Sequence, residues 1–205
     1  MDELEIEIEK TTDTSVLCDF YCGVQGLDDL FHSSRFQNMV AYHLTNLYTV
    51  YMRGELVGLF SISSNNLILN STDFDFMKMG SVPKPDIDIH DESFWERDSY
   101  PAVEIDYLAV RKEYRKGYRK FSDVKVGMLL MDAIIDMVEN DNKAAAMSLV
   151  VDALCTREDN SVGFYQKCGF VPSERAREQA QWNNSFTDVV PATQRMYRIL
   201  ISPRN

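Results

Sequence analysis

Residues 102–110, reading AVEIDYLAV, form the most strand-like run of the chain, and the elements after them limit the fold more than any other feature. The run leads through a loop bearing Gly117 into residues 124–140, where Met128, Leu129, Met131, Ile134, Ile135 and Val138 supply the apolar side of an amphipathic helix. A second buried strand, residues 146–154, comes next. A strand that enters a helix through a glycine-bearing loop presents unpaired backbone N–H groups, a ready site for phosphate. Residues 111–127 also gather seven basic residues, Arg111, Lys112, Arg115, Lys116, Arg119, Lys120 and Lys125, against Glu113 and Asp123. Gly117 and Gly127 allow close backbone approach there, and Arg115, Lys116 and their neighbours add charge for further phosphates. The same residues also fit a solvated basic loop that balances acidic neighbours.

Around this segment the elements come in a consistent order. Residues 4–9 alternate Leu4, Ile6 and Ile8 with glutamates, which is strand-like. Residues 27–44 place Leu27, Leu30, Phe31, Phe36, Met39, Val40 and Leu44 at mostly helical spacing, as one helix or a broken pair. Residues 47–52, the turn Arg53-Gly54 and residues 55–63 make a hairpin. From about 63 to 101 the periodicity fades and aspartates and glutamates accumulate, which reads as an acidic insertion. Near the C-terminus a short helix is capped by Asp159 or Asn160 and ended by Gly169, and residues 193–201 form a closing strand. No repeat or linker divides the chain, so residues 1–205 are expected to form a single domain.

Charge and cysteine usage exclude several roles. A net charge of −11 over 205 residues argues against a broad nucleic-acid or anionic-membrane surface, since both partners are repelled over most of the protein. No stretch approaches the length of apolar sequence that spans a membrane. Cys18, Cys22, Cys155 and Cys168 form no CxxC pair, and His32, His43 and His90 lie far apart, so no metal site is expected. The start of the chain has neither a basic region nor an apolar run, so a cytoplasmic location is expected. Cys155 and Cys168 have no nearby histidine to activate them and read as buried apolar residues.

The strand, loop, helix and strand, followed by Phe164-Tyr165 and Gly169-Phe170, resemble the GNAT superfamily of acetyl-CoA-dependent N-acyltransferases. In that family an Arg/Gln-x-x-Gly-x-Gly/Ala loop holds the CoA pyrophosphate, and a later segment commonly reads Phe-Tyr-x-x-x-Gly-Phe. The resemblance is clear over about residues 102–172. It implies an α/β (α+β) fold in which a central mixed, largely antiparallel twisted sheet carries helices on both faces. The loop departs from the pattern. Tyr114 stands at the usual Arg/Gln position, Gly117 fills the first glycine, and the last x-Gly appears only at Val126-Gly127, after the eight extra residues Tyr118 to Lys125. Either those residues bulge outward and the pyrophosphate amides stay in place, the reading favoured by Gly127 at the helix start, or cofactor binding is weakened.

The resemblance further implies an acetyl group passing from acetyl-CoA to a primary amine. Cofactor binding falls to Leu108, Ala109 and Val110 through their backbone, to Arg115, Lys116, Gly117, Val126, Gly127 and Met128 at the phosphates, and to Asn160, for which helix capping is the simpler reading. Strand alternation places Glu104 and Asp106 on one face. Glu104 matches the strand position that bears the general base in some members of the family, with Asp106 as the nearby substitute; either carboxylate could instead pair with a neighbouring Lys or Arg. Tyr165 matches the tyrosine that protonates the departing thiolate, and a core tyrosine is the other reading. The acidic insertion suits a cationic acceptor, and it equally fits a solvated flap. A toxin-like enzyme acetylating aminoacyl-tRNA and held by an antitoxin, and a non-catalytic acyl-CoA-binding module, remain as alternatives, and a homodimer stays open.

Overall fold

The computed structural model describes residues 6–73, 99–115, 125–140, 146–156, 160–177 and 193–200. Its strands are β1 (Ile6–Thr11), β2 (Asn46–Met52), β3 (Glu55–Leu67), β4 (Tyr100–Val110), β5 (Ser148–Leu154), β6 (Val171–Pro172) and β7 (Thr193–Ile199). Its helices are α1 (Gln25–Phe31), α2 (Ser34–Ala41), α3 (Val126–Asn140) and α4 (Val162–Lys167). The strands form one mixed seven-stranded sheet in the order β1-β2-β3-β4-β5-β7-β6, the α+β architecture expected from the sequence. The helical stretch of residues 27–44 is a broken pair, because Ser33 adopts an extended conformation and its hydroxyl accepts from the Phe36 amide to start α2. The short strand β6 has no counterpart in the sequence reading, two residues being too few for any periodicity. Most of the acidic insertion and residues 116–124 of the basic loop lie outside the described residues.

The chain divides into two compact units, residues 1–63 with 105–136 and residues 64–104 with 137–205, the division passing through β3, β4 and α3. In the first unit β1 pairs antiparallel with β2, and β2 with β3, whose register shifts between Val50 and Tyr51. The hairpin turn places Arg53 at φ 52° and Gly54 at φ 75°. Two left-handed residues in a two-residue turn match the twist of the strands they join. Leu59 and Ala109 pack with Phe20, Phe31, Phe36, Val40 and Leu47 in one buried cluster. Tyr107 lies edge-on to Phe31 and Phe36, with ring centroids 5.9 and 5.8 Å apart. On the opposite face of β3, Gly58 meets α3 so closely that a Cβ there would lie 2.7 Å from Leu130 Cδ2 and 3.0 Å from the Ala109 carbonyl oxygen. Helices therefore cover both faces of this part of the sheet.

In the second unit β5 and β6 each pair antiparallel with β7, and Leu67, Tyr100, Ala102, Val150 and Tyr197 form its buried cluster. Asp73, 1% exposed, accepts from the amides of Asn70, Glu174 and Arg175 and so caps the helical turn at residues 174–177.

The close approach at Gly58 makes that position intolerant. Gly58→Val is expected to cost about 1–3 kcal/mol through overpacking, read as a fall in Tm in thermal unfolding. Gly26→Ala in α1, where nothing lies within 4 Å of the new Cβ, is the control and should hold or raise Tm.

Candidate active site

The proposed phosphate-binding segment belongs to the first unit. β4 ends at Val110, and the Arg111 amide donates to the Val57 carbonyl, which turns the chain into a 3-10 turn over Lys112–Tyr114. Tyr114, at the position where the family carries Arg or Gln, is buried and donates its hydroxyl to Glu55. It serves the packing of the loop base and offers no charge to a phosphate. Three described basic residues at the loop base are also engaged. Arg111 pairs with Glu113 at 3.3 Å, Lys112 Nζ sits 5.7 Å from the centroid of the Tyr21 ring, and Arg115 donates to the Cys22 carbonyl at 2.8 Å. The Asp28 carboxylate grips the same segment from α1, accepting from the Cys22 and Gly23 amides at 2.7 and 3.1 Å. Part of the basic charge thus ties the loop base to the segment ahead of α1. Burial, more than the nearby Asp28, pushes the Cys22 thiol up to about 11, so it stays protonated at neutral pH.

Lys116 and Gly117 lie outside the described residues. At the other end of the loop, Met128 and Leu129 donate the first hydrogen bonds of α3 to the Lys125 carbonyl. The amides of Val126 and Gly127 precede these bonds and have no acceptor within the helix. Val126 is buried, whereas Gly127 and Met128 are partly exposed. On β4, Ala109 is buried and Leu108 and Val110 are half-buried. A cavity of about 430 Å³ beside the hairpin turn is lined by Gly54, Glu55, Leu56, Arg111, Glu113 and Tyr114. Its two carboxylates make it a poor phosphate site.

Glu104, Asn160 and Tyr165 belong to the second unit. Glu104 pairs with Arg195 through one carboxylate oxygen and accepts from Asn65 through the other. The pairing with a neighbouring cation, one of the two sequence readings, is therefore realised for this residue. Asp106, in the first unit, accepts from the hydroxyls of Thr45 and Ser63. Asn160 bridges Cys155 across an isolated β-bridge, and its side chain accepts from the Val162 amide at 3.1 Å, so it helps to start α4.

The Phe-Tyr-x-x-x-Gly-Phe segment has a local physical explanation. α4 ends on Gly169 at φ 82°, with the Phe170 amide returning to the Tyr165 carbonyl and the Gly169 amide to that of Gln166. This is the paired bond pattern of a left-handed helix stop, in which the residues at its two ends make an apolar contact. Here that contact is Tyr165 against Phe170, with ring centroids 5.4 Å apart. Arg198 donates to the Cys168 carbonyl at the same helix end. Tyr165 is buried, and desolvation, assisted by the Cys168 thiol, holds its phenol well above the usual tyrosine range.

Sequence reasoning missed Arg195, Asn65 and Asp28. Arg195 follows Thr193 and Gln194 at the polar start of the closing strand, so no local pattern singles it out. Among the described residues no group of three His, Cys, Asp or Glu side chains is placed to hold a metal, and no helix is long and apolar enough to cross a membrane.

The raised Tyr165 phenol carries a pH prediction. The folded state keeps this proton above pH ~10, where the unfolded chain begins to lose its own, so stability must fall as pH rises beyond that point. Denaturant unfolding between pH 8 and 11 should show this slope, and Tyr165→Phe should flatten it, leaving the part due to Tyr197, which burial also raises.

No protein-family model matches the chain, and no curated protein matches it. Solved structures do. A tyrosine-to-phenylalanine variant of KacT superposes with a TM-score of 0.61 at 14% identity, over 96% of this chain and 95% of that one. AtaTR bound with AcCoA gives 0.61 at 16% identity, over 98% and 95%. AtaT complexed with acetyl-methionyl-tRNAfMet gives 0.56 at 15% identity, over 95% of each chain. At these identities the likeness establishes a shared fold, which spans nearly the whole length of both partners.

Proposed function

We propose that this protein is an N-acetyltransferase that carries an acetyl group from acetyl-CoA to a primary amine by direct attack within a ternary complex. The observation that carries this reading is the strand order β1-β2-β3-β4-β5-β7-β6, in a fold shared over 98% of the chain with a structure described as bound with AcCoA. The helix entry at Val126, Gly127 and Met128 takes the pyrophosphate, with Arg115, Lys116 and Gly117 contributing from the loop. The backbone of Leu108, Ala109 and Val110 pairs with the pantetheine arm, and Asn160 is a further candidate cofactor contact. Bringing both reactants together removes most of the entropic barrier.

In the reaction the amine lone pair attacks the thioester carbonyl carbon and a tetrahedral oxyanion forms. Its collapse breaks the carbon–sulfur bond. The amine nitrogen gives up a proton to Glu104, directly or through a water, and the departing sulfur takes one from Tyr165. Burial suits Tyr165 to this task in one respect, because the phenol is fully protonated at neutral pH. Glu104 still has capacity for an amine or water, since a carboxylate offers about four lone-pair sites and two are taken by Arg195 and Asn65.

Two acceptor classes have support. The net charge of −11 favours a small cationic amine, such as a polyamine, an aminoglycoside or a lysine side chain. The shared fold of AtaT complexed with acetyl-methionyl-tRNAfMet supports an aminoacyl-tRNA as much, so the charge argument does not decide between the two. The KacTA-DNA complex and AtaT bound to the C-terminus of the antitoxin AtaR share the fold as well, which keeps an antitoxin partner in view.

Calorimetric titration should give micromolar, salt-weakened binding of acetyl-CoA, and Gly127→Glu should abolish it by placing a carboxylate at the phosphates. Tyr165→Phe should leave that affinity unchanged and lower kcat by about 100-fold, the scale of a lost proton donor. Turnover of spermidine over methionyl-tRNA selects the small-amine reading, and the reverse selects tRNA. Binding of acetyl-CoA without turnover of either, or of an aminoglycoside or a lysine peptide, leaves an acyl-CoA-binding module.

A further inference from the structure

One polar cluster in the second unit crosses four strands that neighbour one another in the sheet. Asn65 comes from β3, Glu104 from β4, Asp152 from β5 and Arg195 from β7. The Arg195 guanidinium pairs with Glu104 and, at 3.3 Å, with Asp152, its direct register partner in the β5–β7 ladder. The Asn65 amide holds the second oxygen of Glu104. Exposure decreases along the cluster, with the Asp152 side chain 52% exposed, Arg195 21% and Glu104 18%. The most accessible carboxylate anchors the guanidinium, and the guanidinium then holds the least accessible one.

This arrangement does more than neutralise a charge. A glutamate side chain has three rotatable bonds, and an isolated one on a strand samples many orientations. A guanidinium on one oxygen and an amide on the other fix both the position of the carboxylate and the plane in which its remaining lone pairs lie. Both donors stand on strands, and rigid elements hold geometry better than loops. Asp152 keeps the guanidinium from swinging away from Glu104. A salt bridge serving only to join strands would not need the Asn65 contact on the second carboxylate oxygen.

We propose that Arg195 is the positioning residue of the acetyl transfer, holding Glu104, with Asn65, in the orientation from which it receives the acceptor's proton. The inference rests on the reading of Glu104 as proton acceptor. It is tested with Arg195→Gln, Arg195→Lys, Asn65→Ala and Glu104→Gln, and with the first and third combined with the fourth. The acceptor is whichever of spermidine, an aminoglycoside, a lysine peptide and methionyl-tRNA is turned over fastest. Arg195→Gln should lower kcat by about 10- to 100-fold with acetyl-CoA affinity unchanged, a loss of the size expected for a misplaced proton acceptor. Arg195→Lys should recover part of it. In the Glu104→Gln background the same change should cost about twofold or less, because residues acting through one group are not additive. Asn65→Ala, which removes no charge, should show the same non-additivity and carries the test if Arg195→Gln fails to fold.

Equal losses from Arg195→Gln, or from Asn65→Ala, with and without Glu104 overturn the inference. So does full activity of Arg195→Gln when Glu104→Gln is impaired, an outcome that leaves Glu104 as proton acceptor. Full activity of Glu104→Gln, or turnover of none of the four acceptors, removes the reading beneath the inference and the inference with it.

Discussion

β4 is an interior strand, and the structure depends on how completely it is pinned. An interior strand must satisfy its polar groups from neighbours, because little water reaches it. Here different elements meet successive residues. Pro101 accepts from the Met147 amide, Glu104 is held by Arg195 and Asn65, and Asp106 by Thr45 and Ser63. Tyr107 lies against Phe31 and Phe36, and the Ala109 carbonyl lies hard by Gly58. Two carboxylates on such a strand are costly unless each is hydrogen-bonded, and each is.

The strand also explains the basic segment beyond it. Positive charge in an acidic protein suggests an anionic ligand, yet the first arginines and the lysine beyond β4 find partners within the chain: Glu113, the Tyr21 ring and the Cys22 carbonyl. Asp28 grips the Cys22 and Gly23 amides, so the segment ahead of α1 is held by an acid on its N–H side and by a base on its carbonyl side. Charge of this kind fixes the base of the loop. At the helix entry beyond it the amides of Val126 and Gly127 have no acceptor within α3, and amides of that kind suit phosphate.

Much of the architecture was legible in the sequence for simple reasons. Alternation marked β1 and the hairpin, a lone Gly after Arg53 marked a left-handed turn, and periodic Met, Leu and Ile marked α3. The Phe-Tyr-x-x-x-Gly-Phe segment was legible too, and the fold supplies its local logic: Gly169 stops the helix and Phe170 folds back onto Tyr165. Pairings across long chain separations stayed hidden. Nothing local tells Glu104 that Arg195 will face it, or Cys22 that the Arg115 guanidinium will reach its carbonyl. The tyrosine at position 114 is a case between the two. Its departure from the family pattern was visible, but its engagement with Glu55 was not.

The sequence by itself determined where most of the strands and helices lie, where the hairpin turns, and which glycine-bearing loop leads into a helix, because these depend on periodicity, glycine and charge over a few residues. Only the tertiary structure decided the strand order β1-β2-β3-β4-β5-β7-β6 and the partners of Glu104, Asp106 and Arg115. Those depend on which strands and loops become neighbours, and a hydrogen bond or ion pair exists only where folding brings its two groups within about 3 Å.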